Sequence, residues 1–173
     1  VRTVDERMKQ YFGNLGGTFP AKVTEWTGVA GERIGAFNSD AVPESLSGKA
    51  DRVLIMREIH NLWRMDLLRR ELATVRGLLD DNGKLCVEQH RAKNSARADY
   101  TNGSRGYMRE RDVIALVEAA GFQLEAKSEI NANKRDPADH ADGVWVLPPN
   151  FRGVKDDAQR ARNTEIGESD RMT

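Results

Sequence analysis

Two histidines and one glutamate follow apolar runs that are typical of buried strands. His60 comes four residues after the run 52–56, and Glu88 and His90 come within three residues of the run 84–87. Histidine titrates near neutral pH, so either imidazole could take a proton from a hydroxyl or an amine. Because the carboxyl ends of parallel strands meet at one edge of a sheet, we predict catalytic roles for His60, Glu88 and His90.

Two other roles stay open for these three residues. Each histidine could be structural and hold a loop carbonyl. Two imidazole nitrogens and one carboxylate could also bind a metal ion, but nothing in their spacing demands it, so no metal is predicted.

A polar stretch at 92–106 contains two glycines, which predicts a loop over one end of the sheet. Tyr100 and Tyr107 lie in or beside this loop and could line the binding site of a small-molecule substrate. The alternative is that both are ordinary surface tyrosines. Trp145 stands near two prolines and is predicted to be a packing anchor.

Short apolar runs alternate with longer helical patterns along the chain, which predicts an α/β fold with a mostly parallel sheet. The predicted strands are 1–5, 33–37, 52–56, 84–88 and 123–130, with a short extended piece at 143–147. The predicted helices are 19–29, 61–79 and 109–120. Residues 80–83 read Asp-Asp-Asn-Gly, which predicts a helix stop and a tight turn.

The length of 173 residues is near the common size of a single domain. We therefore predict one α/β domain over residues 1–152. Beyond residue 152 the chain is charged and low in apolar residues. Residues 153–173 are accordingly predicted to be a loosely held tail.

The charge balance argues against two classes of partner. Lys plus Arg and Asp plus Glu both number 27, so no overall field would draw the protein to nucleic acid or to an anionic membrane. Cys86 is the single cysteine and allows no internal disulfide. No apolar run reaches the roughly 20 residues that cross a bilayer. We expect a cytoplasmic protein, with any targeting signal preceding Val1.

Two passages resemble class I S-adenosylmethionine-dependent methyltransferases, which have a Rossmann-like sheet. Residues 75–88 are similar to the helix, turn and fifth strand of that fold, where the turn commonly reads Lys-Pro-Gly-Gly. Residues 111–122, which end Ala-Gly-Phe, resemble the helix before its sixth strand. Four further passages resemble one bacterial family of predicted methyltransferases. They are Arg-Glu-Ile-His-Asn at 57–61, Glu-Gln-His-Arg at 88–91, and residues 143–149 and 168–173.

The resemblance implies S-adenosylmethionine as cofactor, a small molecule as methyl acceptor, and helices on both faces of the sheet. Asp5 would accept hydrogen bonds from the ribose hydroxyls, with a solvated acid or a helix N-cap as the alternative. The remaining cofactor contacts would be Asn38, Asp40 and Ala41 at the adenine, and Met56, Arg57 and Glu58 at the methionine part. A solvent-facing ion pair is the alternative role for Arg57 and Glu58.

The chain departs from that family at both ends. We expect it to begin after the first strand and after the glycine-rich loop that would grip the cofactor. Residues 13–17 are glycine-rich but follow the polar run 6–10, so they predict a plain loop. The family's last strand would continue beyond Thr173. A missing first strand would leave strand edges unpaired, which predicts self-association.

The leading hypothesis is therefore methyl transfer from S-adenosylmethionine to a small molecule. The alternative is an inactive fragment that acts as a binding or association module. A nicotinamide-dependent oxidoreductase is a third hypothesis, which Asp5 alone does not exclude but which residues 78–88 and 121–122 argue against. The leading hypothesis requires four residues to emerge side by side from neighbouring parallel strands: Asp5, Asp40, Arg57 and Glu88.

Overall fold

The chain divides into two units after Leu46. The computed structural model describes the backbone of residues 6–173 and the side chains of residues 13, 14 and 16–173. The strand predicted at 1–5 lies outside these residues. The single domain over residues 1–152 stays a prediction, and the two compact units are Val1–Leu46 and Ser47–Thr173.

The described part of the first unit is one long helix with two short 3-10 turns. Helix α1 spans Glu6–Thr27, and the turns span Gly31–Arg33 and Glu44–Leu46. The helix predicted at 19–29 is confirmed as the last part of α1. The plain loop predicted at 13–17 is wrong, because these residues lie inside the same helix.

The strand predicted at 33–37 is also wrong. Residues 34–37 have no regular secondary structure. Ile34 and Ala36 are half-buried while their neighbours are exposed. A strand also needs a hydrogen-bonding neighbour, and the described part of this unit contains none.

The second unit is built on a four-stranded sheet. Its described strands are β1 (Ala50–Met56), β2 (Leu79–Ala92), β3 (Met108–Arg109) and β4 (Arg171–Met172). Its described helices are α2 (Ile59–Arg64), α3 (Leu68–Leu78), α4 (Glu110–Ala119) and α5 (Asp157–Ile166). Strand β2 pairs in parallel with β1 and β3 and antiparallel with β4. The α/β class is confirmed, and the sheet is mixed.

Helices α3 and α4 pack on the same face of this sheet. The main core joins Ile55 of β1 to Leu72 of α3 and Val113 of α4. Side chains alternate along a strand, so Leu54 and Met56 point to the other face, where Leu54 is 64% exposed. The helices of this unit therefore do not cover both faces, in contrast to the expectation from the resemblance.

The helix predicted at 61–79 is divided into α2 and α3. The break falls where Asp66 adopts a left-handed backbone conformation with φ of 58°, which an α-helix cannot contain. Within α3, the buried residues Leu68, Leu72 and Val75 keep the predicted spacing of three and four.

The turn predicted at 80–83 lies inside β2 instead of ahead of it. The register between β1 and β2 shifts between Ala50 and Arg52, which places extra residues on β2. A Cβ atom at Gly83 would lie 2.7 Å from the carbonyl oxygen of Ala50. Only glycine allows the two strands to approach so closely at this bulge.

Residues 153–173 are packed against the rest of the second unit, unlike the loose tail predicted for them. The buried Asn163 of α5 donates a hydrogen bond to the carbonyl oxygen of Val146 at 2.8 Å. Strand β4 pairs with β2 and brings Met172 into the main core. Buried polar contacts help to hold this segment in place. The low apolar content of the segment was therefore a poor basis for predicting a loose tail.

The remaining predictions are partly confirmed. The helix at 109–120 is α4, and the loop at 92–106 lacks regular structure beyond turns after β2 ends. Residues 123–130 are not a strand; their backbone bonds include one from Ser128 N–H to the carbonyl oxygen of Thr173 at 2.7 Å. The extended piece predicted at 143–147 is instead a buried 3-10 turn, Val144–Val146.

Candidate functional site

The carboxyl ends of β1 and β2 bring the two predicted catalytic histidines together. His60 lies in the first turn of α2, just after β1, and His90 lies in β2 next to Arg171 of β4. Both side chains are buried, with His60 2% exposed. Their ring centroids are 5.6 Å apart. The rings thus form a buried imidazole pair at this edge of the sheet.

Gln89 contacts both the ring and the backbone of His60. Its Oε1 lies 3.2 Å from Nδ1 of His60 and accepts a hydrogen bond from the backbone N–H of His60 at 3.3 Å. Its Nε2 donates to the carbonyl oxygen of Gly106 at 2.6 Å. Gln89 therefore links the start of α2 to the loop after β2.

The Nε2 atom of His60 is buried and has no hydrogen-bond partner among the described residues. Burial lowers the pKa of His60, because a charged imidazolium is poorly solvated there. His60 is consequently neutral near pH 7. Its Nε2 is therefore a buried polar atom to which a ligand could supply the missing hydrogen bond.

His90 is also neutral. Burial, together with the positive charges of nearby groups such as Arg57, lowers the pKa of His90 to about 3. Its Nδ1 lies 2.6 Å from the hydroxyl oxygen of the buried Ser169. His90 is therefore a much weaker base than an ordinary histidine.

Glu88, the third predicted catalytic residue, is held by basic and amide groups. One of its oxygens lies 2.9 Å from Nε of Arg171 and 3.8 Å from Nε of Arg57. The other accepts a hydrogen bond from Asn131 Nδ2 at 3.1 Å. Glu88 thus joins β2 to Arg171 of β4 through an ion pair.

The two predicted substrate-binding tyrosines stack on each other behind His90. The rings of Tyr100 and Tyr107 are 5.8 Å apart, and that of Tyr107 is 6.2 Å from His90. Tyr107 is fully buried, so it is not a surface loop tyrosine. Its hydroxyl donates to Asp136 Oδ2 at 2.9 Å, and burial raises the pKa of Tyr107.

Asp136 is a buried carboxylate that the sequence did not single out. It lies 3.0 Å from Nε2 of His140 and accepts the Tyr107 hydroxyl and the backbone N–H groups of Ala138 and Asp170. Burial alone would raise the pKa of Asp136, but these hydrogen bonds outweigh it and lower the pKa. The four-residue spacing of Asp136 and His140 was the one feature of the sequence that could have indicated this contact.

Trp145 and a glycine-containing loop cover the imidazole pair. The Trp145 ring centroid is 6.1 Å from that of His60, and the guanidinium of Arg152 lies 4.8 Å from the Trp145 ring. A Cβ atom at Gly103 would lie 2.8 Å from the carbonyl oxygen of His60. The loop backbone thus packs directly on the start of α2 and shields it from water.

The residues predicted to contact a cofactor fall into three groups. Met56, Arg57 and Glu58 are exposed at the carboxyl end of β1, beside the imidazole pair in sequence. Asn38, Asp40 and Ala41 are exposed in the first unit, where the N–H of Ala41 bonds the carbonyl of Asn38. Asp5 lies outside the described residues. Of the four residues expected side by side, the structure brings Arg57 and Glu88 together.

Two grooves of the second unit lie away from the histidines. One, of about 600 Å³, runs between β2 and α4 and is lined by apolar side chains such as Val87 and Phe122. The other, also of about 600 Å³, lies beside Arg91 and Lys134. Neither is lined by His60 or His90, which agrees with a site covered by its loop.

The described residues contain no group of three metal-binding side chains close enough to hold a metal ion. Over the same residues, no helix has the length and apolar content needed to span a membrane. Comparisons of the chain with protein-family models, with curated proteins and with solved structures gave no match.

Proposed function

We propose that this protein transfers a methyl group from S-adenosylmethionine to a small molecule, with His60 as the proton acceptor. The observation that carries the proposal is the buried Nε2 of His60, which lacks a partner in the described part of the chain. Leaving such an atom unpaired costs about 1–3 kcal/mol. A catalytic role is one of the reasons for which a folded protein retains such an atom.

The chemistry of the site suits proton removal from a neutral nucleophile. An acceptor molecule bearing an O–H or N–H would donate a hydrogen bond to Nε2 of His60 and pass its proton there. Its oxygen or nitrogen would bond to the methyl carbon as the carbon–sulfur bond breaks, and the neutral thioether would leave. The imidazolium so formed would be favoured by Glu58, whose negative charge raises the pKa of His60 against the effect of burial. His90, which is the weaker base, would stay uncharged and line the site.

The exposed residues at the end of β1 fit the amino-acid part of the cofactor in chemical type. Arg57 would hold a carboxylate and Glu58 an ammonium group. When bound, S-adenosylmethionine would supply a methyl group on positively charged sulfur.

A small molecule would reach Nε2 of His60 only if the covering loop moved. Gly103 and Gly106 of this loop have φ of 86° and 83°, and Gly106 also receives the Gln89 hydrogen bond. Loop opening on the microsecond to millisecond scale is common in enzymes that exclude water from the reacting groups. The same closure would align the acceptor with the methyl donor.

Replacement of His60 tests the proposal. We expect His60→Asn to lower the rate of methyl transfer by about 10²–10⁴-fold, the usual contribution of a general base, with little change in cofactor affinity. The assay would use methyl-labelled S-adenosylmethionine with a panel of phenols and amines. Titration calorimetry with S-adenosylhomocysteine would measure cofactor binding.

His140→Asn is the matched control, because it removes an imidazole that bonds Asp136 and does not contact His60. Circular dichroism would verify that both variants fold. Transfer by His60→Asn at the wild-type rate would contradict the role of His60. Absence of S-adenosylhomocysteine binding by the folded wild-type chain would contradict methyl transfer itself.

A second candidate function is association without catalysis. Among the described residues, β1 pairs with β2 alone, and its Leu54 and Met56 are exposed. An apolar strand with one free edge is a template for pairing with another chain.

A further inference from the structure

The side-chain amide of Gln89 has one permitted orientation. Gln89 is 0% exposed, and its two ends meet groups of fixed character. The backbone N–H of His60 can only donate, and the carbonyl oxygen of Gly106 can only accept. The amide oxygen must therefore face His60 and the amide nitrogen must face Gly106, as observed at 3.3 Å and 2.6 Å.

This orientation determines which nitrogen of His60 carries the proton. The same amide oxygen lies 3.2 Å from Nδ1 of His60. If Nδ1 were unprotonated, two lone pairs would face each other in a buried site, at an energetic cost. A neutral imidazole has one N–H and one bare nitrogen, so Nδ1 carries the hydrogen and Nε2 is bare.

We propose that Gln89 is a positioning residue that holds His60 as the Nδ1–H tautomer, so that the bare Nε2 accepts a hydrogen bond from an O–H or N–H of the ligand. The ligand part rests on the proposed function. The tautomer part rests on the geometry of Gln89 alone. A carboxylate, which only accepts hydrogen bonds at neutral pH, would be a poor partner for Nε2.

The other groups around His60 do not determine its tautomer. Glu58 and Arg64 act on His60 through their charges, which affects protonation of the whole ring. His90 contacts His60 through a tilted ring arrangement with centroids 5.6 Å apart. Gln89 is the described residue that bonds a ring nitrogen of His60.

Nitrogen-15 NMR of the imidazole rings tests this proposal without cofactor or substrate. The chain has three histidines, and the variants at His90 and His140 allow each signal to be assigned. At pH 8 we expect wild-type His60 to show a protonated Nδ1 and a bare Nε2. We expect Gln89→Met, which is similar in length but has no amide, to show a mixture of both tautomers.

Gln123→Met is the control, since Gln123 is exposed and its replacement should leave the His60 signals unchanged. A wild-type His60 protonated at Nε2 would overturn the proposal. A folded Gln89→Met protein with an unchanged tautomer would also overturn it.

A second variant decides the matter if Gln89→Met does not fold. Gln89→Glu places a carboxylate beside Nδ1, which still accepts the Nδ1 hydrogen and favours the charged ring. We expect this variant to keep the Nδ1–H tautomer and to raise the pKa of His60 by NMR titration. An unchanged pKa would overturn the proposal. Neither result depends on methyl transfer, so failure of the proposed function would be seen separately in the labelled-methyl assay.

Discussion

His60 and His90 are two neutral imidazoles that the fold buries with their ring centroids 5.6 Å apart. Both are neutral for the same reason: burial disfavours the charged ring and lowers both pKa values. In the unfolded chain the same histidines titrate near 6.5. The pair therefore connects folding stability to pH.

The stability of the protein should fall as the pH falls below 6.5, in part because of His90. Between the unfolded value of 6.5 and the folded value of about 3, the unfolded chain binds the His90 proton and the folded chain does not. Each pH unit in this window costs up to about 1.4 kcal/mol. We expect His90→Gln to reduce this slope in urea unfolding measured from pH 7 to pH 4.5.

Lys93→Gln is the control for His90→Gln. It also introduces a glutamine, but at an exposed position and without removing a group that takes up a proton between pH 7 and pH 4.5. This control should keep the wild-type slope. Equal slopes for wild type and His90→Gln would show that His90 is not buried in its neutral form.

Arg91 and Asp136 show how single polar residues join distant parts of the second unit. The guanidinium of Arg91 contacts Glu110, Glu129 and Asp170, and these hydrogen bonds raise the pKa of Arg91. Asp136 in turn accepts the backbone N–H of Asp170 at 2.9 Å. The segment before β4 is thus held from two sides by buried or half-buried charges.

At the scale of elements, α5 and β4 complete the site. Strand β4 supplies Arg171, which pairs with Glu88, and the turn before it supplies Ser169, which bonds His90. Helix α5 is joined to the 3-10 turn that carries Trp145 through the bond from Asn163 to Val146. These last elements therefore position residues on both sides of the imidazole pair.

Removal of the Asn163 amide should destabilise the second unit. Asn163→Ala would leave the buried carbonyl of Val146 without this partner, at a cost of about 1–3 kcal/mol. Chemical unfolding followed by circular dichroism would measure the loss. Arg162→Ala is the control because Arg162 is exposed on the same helix. A loosely held tail would instead make both variants equal to wild type.

At the scale of the whole molecule, the exposed face and edge of β1 suggest contact with another chain. Leu54 is 64% exposed, and its register partner Cys86 on β2 is exposed as well. Large apolar side chains exposed together on a strand are rarely left uncovered in soluble proteins. The self-association predicted from the sequence would place a second copy of the chain on this strand.

A charge on this strand should prevent such association. We expect Leu54→Lys to shift the protein towards monomer in sedimentation-velocity runs across a concentration series, because a strand-edge lysine opposes pairing. Trp63→Lys removes a comparable exposed apolar side chain from α2 and should associate as the wild type does. Monomeric wild-type protein at every concentration would exclude association through β1.

The sequence by itself determined two strands and one helix face of the second unit. The apolar runs at 52–56 and 84–88 became strands, and the spacing of Leu68, Leu72 and Val75 became the buried face of α3. Both predictions rest on neighbours in sequence, which periodicity records directly. The placement of His60 and His90 at one edge followed from the parallel order of these strands.

The tertiary structure alone decided which polar groups are paired. Asp136, Gln89 and Ser169 bond partners that are 29 to 79 residues away, and no local pattern encodes such distances. The antiparallel β4 and the packed segment at 153–173 depend on the same long-range contacts. A strand or a buried charge needs a partner in space, and the identity of that partner is a property of the folded chain.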